Sequence, residues 1–407
     1  MKICFVSLYA YPLFNSSLKS PFGGSEVRSW LLGVGLSRFP EHEVSFVVFD
    51  HGQEEVEQFD RVKVYRHSYY KGEMGGQGSP LRLPSIDRLG RCVRLIQSRL
   101  GRWLGIADHD KIEPRKTQIY QVIDADIYCG FGVSNFTAEV AAFSRRFGKK
   151  FVLFAGSDQD LSSSYRPGSR ELNLRGSRCD LCYYALMHAD LIITQTETQR
   201  GLLSERFARE GVTLLSPIDL SENLPRDERG KRSGRIALWI GKSDQVKRPQ
   251  KLLELALAFP EIQFVMVLNR SDPGIFEEIL RERPSNVQVL EWIPLAEADR
   301  LFARAFVLIN TSVYEGFPNT FLQAGKHGVP VLSLQVDPDG FIEKHSCGFV
   351  GKGNFDQFAK GLHRIYSDPN LRSRFGENIR RYVEEHHALE EKIEQLSHLL
   401  AALSSHE

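Results

Sequence analysis

Short apolar runs alternate with helical patterns along the whole chain. In the first half, β-branched and aromatic residues predict strands at Ile3–Ser7, Val44–Phe49, Val62–Tyr65, Ile127–Gly130, Phe151–Phe154, Leu191–Thr194 and Val212–Leu215. The pattern restarts with strands predicted at Ile236–Ile240, Ile262–Leu268, Val287–Leu290, Phe306–Ile309 and Val329–Leu334. Alternation of this kind is typical of parallel sheets wound with helices. The sequence therefore predicts an α/β protein with two successive sheets.

A polar, charged segment that contains proline separates the two sets of strands, as linkers do. We expect an amino-terminal Rossmann-like domain over residues 1–218, a linker over 219–234 and a second Rossmann-like domain over 235–385. Residues 386–407 carry apolar positions at helical spacing, which predicts a terminal helix packed on the body. Open α/β sheets bind ligands at the carboxyl ends of their strands. Candidate site residues are therefore expected in the loops that follow strands.

Composition and charge exclude several classes of protein. The chain has 52 basic and 51 acidic residues, so it lacks the basic excess of a nucleic-acid-binding protein. Its apolar runs are shorter than the roughly 18 residues of a spanning helix, and its first residues lack a signal-peptide pattern. Six scattered cysteines favour a reducing compartment, and the pair Cys179 and Cys182 is expected to pack in a helix rather than bind zinc. A cytoplasmic protein is predicted.

A basic helix predicted over residues 87–103 interrupts the regular alternation. It carries Arg88, Arg91, Arg94, Arg99 and Arg102. Such a helix is either a solvated charged face or a surface that docks peripherally on the inner face of an anionic membrane or on an anionic acceptor. The sequence leaves both interpretations open.

Two loops that follow strands carry residues suited to binding a diphosphate. Gly23 and Gly24 precede a helix, where a phosphate can approach the backbone amides at the positive end of the helix dipole. Lys242 and Lys247 follow the strand Ile236–Ile240 and can neutralise a diphosphate without a metal. Each pair also has a simpler interpretation, as an ordinary turn or as two surface lysines.

Two further loops place carboxylates toward the expected cleft. Glu315, after the strand Phe306–Ile309, can accept hydrogen bonds from two adjacent sugar hydroxyls, or it can form a salt bridge or a helix cap. Asp158, after the strand Phe151–Phe154, can face the same cleft or cap a helix. The Asp-x-Asp pattern of some metal-dependent enzymes occurs at 108–110, 124–126, 158–160 and 337–339, which is too often to indicate a metal site. No required metal is predicted.

The order of these loops resembles glycosyltransferase family 4. The resemblance rests on Gly-Gly-Ser-Glu26, on Gly241-Lys242 with Lys247, and on Glu315-Gly-Phe-Pro-Asn319 followed by Gly-Val-Pro-Val331. It implies a GT-B fold, in which two Rossmann-like domains face each other across a cleft. It also implies an acceptor-binding first domain, a nucleotide-sugar-binding second domain, and transfer with retention of anomeric configuration.

The resemblance assigns roles to individual residues. It implies that Lys242 and Lys247 stabilise the leaving diphosphate, that Glu315 binds the donor sugar, and that Asp158 lies near the reacting sugar. The donor-binding residues it implies are Gly23, Gly24, Gly316, Phe317, Pro318, Asn319 and Gln323. Gln323 stands where the family commonly has a Glu that binds ribose, and Lys242 stands where it commonly has an Arg. A neutral amide can still hydrogen-bond a diol.

The base is expected near Trp292 and Ile293, because they follow the strand Val287–Leu290. The implied function is a retaining glycosyltransferase that uses a UDP- or GDP-sugar and a glycan or glycolipid acceptor in surface polysaccharide synthesis, with no cofactor. One alternative is a non-catalytic or weakly active sugar-nucleotide-binding protein, which Gln323 suggests. The other is a nucleotide-sugar epimerase on the same fold.

Overall fold

The structure, a computed structural model, describes residues 1–18, 20, 22–71, 114–221 and 236–405. The helix predicted over 87–103 and residues 222–234 of the predicted linker lie outside this part. Strands β1 to β8 are Lys2–Val6, Glu43–Asp50, Val56–Phe59, Val62–Lys71, Ile127–Phe131, Lys150–Phe154, Leu191–Thr194 and Val212–Thr213. They form one sheet in the order β3-β4-β2-β1-β5-β6-β7-β8, and only the β3–β4 pair is antiparallel among the described pairs.

A second, six-stranded sheet follows. Strands β9 to β14 are Ile236–Lys242, Gln263–Asn269, Val287–Leu290, Ala305–Asn310, Val331–Ser333 and Gly348–Val350. All described neighbours in the order β11-β10-β9-β12-β13-β14 are parallel. The predicted α/β class is confirmed. Strands β3 and β14 are absent from the pattern-based prediction because both are short edge strands without a continuous apolar run.

Helices cover both sheets. Helices α1 to α7 are Tyr11–Phe14, Gly24–Leu36, Pro114–Ile123, Asn135–Arg146, Cys179–His188, Glu197–Phe207 and Gln250–Ala258. Helices α8 to α14 are Pro273–Glu282, Leu295–Arg304, Asn319–His327, Phe341–Lys344, Phe355–Ser367, Pro369–His386 and Leu389–Ser405. Because helices lie on both faces, neighbouring residues of one strand are both buried, as Cys4 and Phe5 are. Cys179 and Cys182 are buried thiols of α5 that form no disulfide within the described residues.

The terminal helix α14 packs against the first sheet rather than the second. Ile393, Leu396 and Leu400 belong to the same apolar cluster as Phe5 and Leu32. The approach to α2 is close, since a Cβ built on Gly35 would lie 2.1 Å from Cδ1 of Ile393. The last helix therefore completes the core of the first domain.

The chain consequently crosses between the sheets twice, and the two crossings are hydrogen-bonded side by side. Ile218 forms an isolated parallel bridge with Ala388, and its amide donates to the carbonyl of His387 over 2.9 Å. Nδ1 of His387 donates to the carbonyl of Ser216 over 2.7 Å. We call residues 216–218 and 387–388, where the two crossings meet, the hinge segment. Within the described residues no helix is long and apolar enough to cross a membrane.

Candidate active site

Glu315 lies in the loop that follows strand β12, beside the loop that follows its neighbour β9. The hydroxyl of Ser312 donates to Oε1 of Glu315 over 2.7 Å, and the ammonium of Lys247 forms an ion pair with the same oxygen. The side chains of Glu315 and Lys247 are only 16% and 26% exposed. The structure thus brings together two of the residues that the sequence predicts for the site.

Arg248 fastens the β9 loop to the β12 loop. Its backbone is left-handed, with φ of 47°. Its side chain donates from Nε to the carbonyl of Thr311 over 2.7 Å and from a terminal nitrogen to that of Ser312 over 3.2 Å. The hydroxyl of Thr311 in turn donates to the carbonyl of Lys247 over 2.6 Å. The sequence does not predict this role, because the partners are backbone carbonyls with no side-chain signature.

Lys242 lies at the end of β9 and faces the first domain. A Cβ built on Gly23 would be 3.9 Å from Nζ of Lys242. The side-chain amide of Asn319 donates to the carbonyl of Gly24 over 3.0 Å. Lys242 is exposed and forms an ion pair with no residue that the structure describes. Four predicted residues from the two domains therefore meet, and one of them carries a cation available to an anion.

Helix α2 presents its amino terminus to this meeting point. The amide of Gly23 donates to the carboxylate of Glu26 over 2.8 Å, and the first amide with an acceptor at the helix start is that of Val27, which donates to the carbonyl of Gly23 over 3.2 Å. Arg28 anchors the helix from below, donating to the carbonyls of Ala155 over 3.2 Å and Leu214 over 2.8 Å. Burial lowers the pKa of Arg28 to about 9. The helix start is thus held firmly against the ends of the neighbouring strands.

Phe317 and Pro318 do not offer backbone amides to a ligand in this conformation. The amide of Phe317 donates to Oε1 of Gln195, in the first domain, over 2.8 Å. The Phe317 ring is buried, with centroids 5.1 Å from Phe341 and 4.7 Å from His387. Pro318 has no amide hydrogen, and it precedes helix α10. Phe317 therefore shapes the loop from beneath, and the Gln195 contact is one that the sequence does not predict.

Asp158 begins a short 3-10 turn after β6, at the edge of the first domain. Its carboxylate accepts a hydrogen bond from the side-chain amide of Gln199 over 3.1 Å. The N-cap of this turn is Ser157, and Asp160 completes its capping box by accepting from the amides of Gly156 at 2.7 Å and Ser157 at 3.1 Å. Burial raises the pKa of Asp158 to about 6; the Gln199 hydrogen bond opposes the shift, and the charges of Asp160, Asp339 and Glu315 add to it.

The remaining predicted residues lie around the rim of the second sheet. Gln323 is half-buried on helix α10. Trp292 and Ile293 follow strand β11 and are also half-buried, and Ile293 packs against the apolar cluster beneath the sheet. Their positions at strand and helix ends are compatible with a ligand, and among the described residues no hydrogen bond or ion pair joins them to Lys242 or Glu315.

Asp339 joins the domains beside this region. Its carboxylate accepts from the amides of Glu197 over 2.8 Å and Thr198 over 2.9 Å, at the start of helix α6. A cavity of about 550 Å³ adjoins this contact and is lined by Glu197, Thr198, Asp337, Asp339, Gly340 and Lys344. We call the Asp339 contacts the latch. The cavity contains none of the predicted site residues, so the convergence of loops identifies the candidate site better than the cavity does.

Residues 221–382 match the family model described as glycosyl transferases group 1. Among curated relatives, the glycosyltransferase 1 domain-containing protein 1 of Xenopus tropicalis is 26% identical over 39% of this chain and 48% of its own length. The D-inositol 3-phosphate glycosyltransferase of Streptomyces bingchenggensis is 25% identical over 48% of this chain and 49% of its own. The chain thus spans about half the length of these relatives.

Solved structures match the whole chain. Sucrose-phosphate synthase from Thermosynechococcus elongatus has a TM-score of 0.72 and 16% identity, with all of both chains covered. Anabaena Alr3699/HepE, in complex with UDP and glucose, has a TM-score of 0.68 and 15% identity over 99% of this chain and 100% of its own. WaaG, a glycosyltransferase involved in lipopolysaccharide biosynthesis, has a TM-score of 0.64 and 18% identity over 98% and 99%. The predicted GT-B fold is confirmed.

Proposed function

We propose that this protein is a retaining glycosyltransferase of family 4 that moves a sugar from a UDP- or GDP-sugar to a glycan or glycolipid acceptor. The observation that carries the proposal is that Lys242, at the end of β9, lies beside Gly23 of the first domain, while Lys247 in the loop after the same strand pairs with Glu315. The family match over residues 221–382 supports it, because that region contains both lysines and the glutamate. The whole-chain match to GT-B structures supports the two-domain arrangement.

The donor's diphosphate would lie between Lys242 and the amino terminus of helix α2. An exposed ammonium and the amino terminus of a helix both favour negative charge. Glycosyl transfer proceeds through an oxocarbenium-like transition state, so negative charge builds on the departing phosphate. Groups that stabilise this charge act mainly on the transition state, which is how they accelerate the reaction.

Glu315 would hold the sugar itself. Its contacts with Ser312 and Lys247 all use Oε1 among the described residues. The second oxygen, Oε2, is thereby left to accept hydrogen bonds from sugar hydroxyls, with the carboxylate fixed in orientation. Lys247 would serve two partners, since an ammonium has three donors and can contact Glu315 and a phosphate together.

Asp158 would face the reacting sugar from the acceptor domain. The raised pKa of about 6 reflects burial first and, among its smaller causes, the charge of Glu315, which places both carboxylates in one electrostatic environment. Gln323 would bind the ribose as a neutral donor and acceptor, with the base near Trp292 and Ile293. No metal and no cofactor are proposed.

The proposal extends to where the protein acts in the cell. We place the protein in the cytoplasm, in surface polysaccharide synthesis, and the fold it shares with WaaG supports that setting. A peripheral membrane contact would involve the basic segment 87–103. UDP is favoured over GDP as the nucleotide to test first, because the structure of Alr3699/HepE is in complex with UDP.

Two measurements test the proposal. Thermal stability should rise with one nucleotide of a UDP and GDP panel, by about 2.7 kcal/mol at 100 times its dissociation constant. Turnover of the matching nucleotide-sugar, by hydrolysis or transfer, should then be detectable and should disappear in Glu315→Ala. Stabilisation without turnover over a broad panel of sugars and acceptors would instead favour a non-catalytic binding protein. Epimerised donor as the product would favour the epimerase.

A further inference from the structure

The side chain of Gln195 joins the two domains at the loop that carries Glu315 and Phe317. Its Oε1 accepts from the amide of Phe317 over 2.8 Å. Its Nε2 donates to the carbonyls of Ala155 over 3.1 Å and Gly156 over 3.3 Å, at the end of β6. Gln195 is 5% exposed. An amide is the side chain that satisfies this site, because one end must accept and the other must donate.

Gln199 extends the connection to Asp158. Its Oε1 accepts from the amide of Gln195 over 2.9 Å, and its Nε2 donates to Asp158 over 3.1 Å. The side chain is fully buried. Gln195 lies between β7 and α6 and Gln199 lies in the first turn of α6, so the turn into this helix contacts Asp158 on one side and the loop that carries Glu315 on the other.

Gly316 shows how closely the loop fits on this turn. A Cβ built there would lie 2.8 Å from Oε1 of Gln195 and 2.8 Å from Nε2 of Gln199. It would also lie 2.9 Å from the carbonyl of Gly156. The residue next to Glu315 therefore touches the acceptor domain directly, and only a glycine leaves room for both amides.

We infer that Gln195 is a positioning residue for glycosyl transfer: it fixes the loop that carries Glu315 on the acceptor domain and, through Gln199, holds Asp158 in register with it. The inference rests on the proposed function, and it adds two residues outside the family motifs. Transfer requires the donor sugar and the acceptor to be aligned, and each is held by a different domain. Gln195 sets that alignment at the boundary between them.

The first test compares Gln195→Ala with Asp339→Ala, which removes the latch at the other side of the same turn. Because a misplacement of about 1 Å can cost about a hundredfold in rate, Gln195→Ala should lower kcat by tenfold to a hundredfold. Its affinity for the nucleotide alone, measured by calorimetry, should stay within about threefold of the wild type. Asp339→Ala should keep kcat within about threefold while raising KM, since it loosens closure without moving the loop.

Gln195→Glu keeps the size and the acceptor but removes the donor toward Ala155 and Gly156. Its activity relative to wild type should be low at neutral pH and should increase as the pH falls, because a protonated carboxyl can donate again. Equal kcat losses in Gln195→Ala and Asp339→Ala would show that Gln195 only holds the domains together, which overturns the inference. An unchanged kcat in Gln195→Ala overturns it as well. A wild type without turnover would instead contradict the proposed function, and the inference would fall with it.

Discussion

The carboxylate of Asp339 accepts a hydrogen bond from the amide of Thr198 over 2.9 Å, across the boundary between the two domains. Thr198 also donates its hydroxyl to the same oxygen over 2.7 Å. Asp339 adopts this position with a left-handed backbone, φ 51°. A residue of one domain thus caps a helix of the other, so the helix start is fully satisfied only when the domains are together.

Asp339→Ala should therefore weaken the closed arrangement. Loss of a capping carboxylate costs about 1 kcal/mol, and alanine is also less tolerant than aspartate of the left-handed backbone. We expect a larger radius of gyration in small-angle X-ray scattering and faster proteolysis of the hinge segment. Asp339→Asn, which keeps an acceptor and tolerates this backbone, is the matched control. Identical scattering curves for all three proteins would contradict the latch.

The Lys247–Glu315 ion pair gives a prediction about catalysis. Lys247→Ala should lower kcat by about a hundredfold or more, because it removes a cation from the charge that develops at the phosphate and frees Glu315 from its fixed orientation. The double variant Lys247→Ala/Glu315→Ala should lose less than the product of the two single losses, since the residues act as a unit. Lys251→Ala is the control, because Lys251 pairs with Glu254 nearby on the surface of α7. Additive losses would show that the two residues work independently.

Titration of Asp158 should produce an acidic limb in the pH dependence of activity. If the ionised carboxylate is needed, kcat/KM should fall below about pH 6, where the buried carboxyl becomes protonated. Asp158→Asn should abolish that limb. The effect on stability has the opposite direction: because the folded pKa is raised, the native state binds the extra proton, so this contribution to stability is lost as pH rises from about 4 to about 6. Unfolding experiments on both proteins across this range measure it.

Burial of His387 in the hinge segment should make the stability of the protein sensitive to acid. Burial lowers its pKa to about 3, with the hydrogen bond to Ser216 opposing and the charges of Lys392 and His386 adding. Unfolding therefore takes up a proton below about pH 6.5, so this contribution to stability is present above that pH and is lost as pH falls toward 3. His387→Gln should flatten the acid side of the stability curve, measured by denaturant unfolding. The same change at exposed His363 should leave the curve unaltered.

Two helical glycines should respond in opposite directions. A Cβ on Gly376, in α13, would lie 2.2 Å from the carbonyl oxygen of Gly328, whereas a Cβ on Gly201, in α6, meets nothing within 4 Å. Gly376→Ala should destabilise the protein by more than 1 kcal/mol, as overpacking does. Gly201→Ala should stabilise it by about 0.5–1 kcal/mol through helix propensity. Thermal unfolding of the two variants measures these changes in stability. An unchanged stability in Gly376→Ala would show that the packing between α10 and α13 is loose.

Much of the fold can be predicted from the sequence because parallel strands buried on both faces require continuous apolar runs. Strands such as β1 and β6 show this signal clearly, whereas the edge strands β3 and β14 carry too few apolar residues to show it. The loop that carries Glu315 is also recognisable, because a carboxylate, a glycine and a proline occur close together after a buried strand. The local sequence pattern is sufficient to predict an element whose conformation depends mainly on its own residues.

Contacts between domains join residues that are far apart in the chain, so local sequence patterns do not predict them. Nothing near Gln195 in the chain distinguishes a residue that binds the amide of Phe317, which lies 122 positions away. The residues around Phe317 predict that it lies in a loop that faces a ligand. Its ring instead packs against His387 of the hinge segment. The Asp337–Asp339 segment similarly matches a metal pattern by spacing alone, while Asp339 caps a helix of the opposite domain.

The return of helix α14 to the first domain has a consequence for biosynthesis. Ile393 and Leu396 pack in the same apolar cluster as Phe5 and Leu32 and help to bury them. During synthesis the whole second domain is therefore translated before α14 can cover the apolar cluster of the first domain. Until then, this apolar surface of the nascent chain stays exposed to water. Residues 1–218 expressed alone would lack this helix, so we expect them not to form a stable domain.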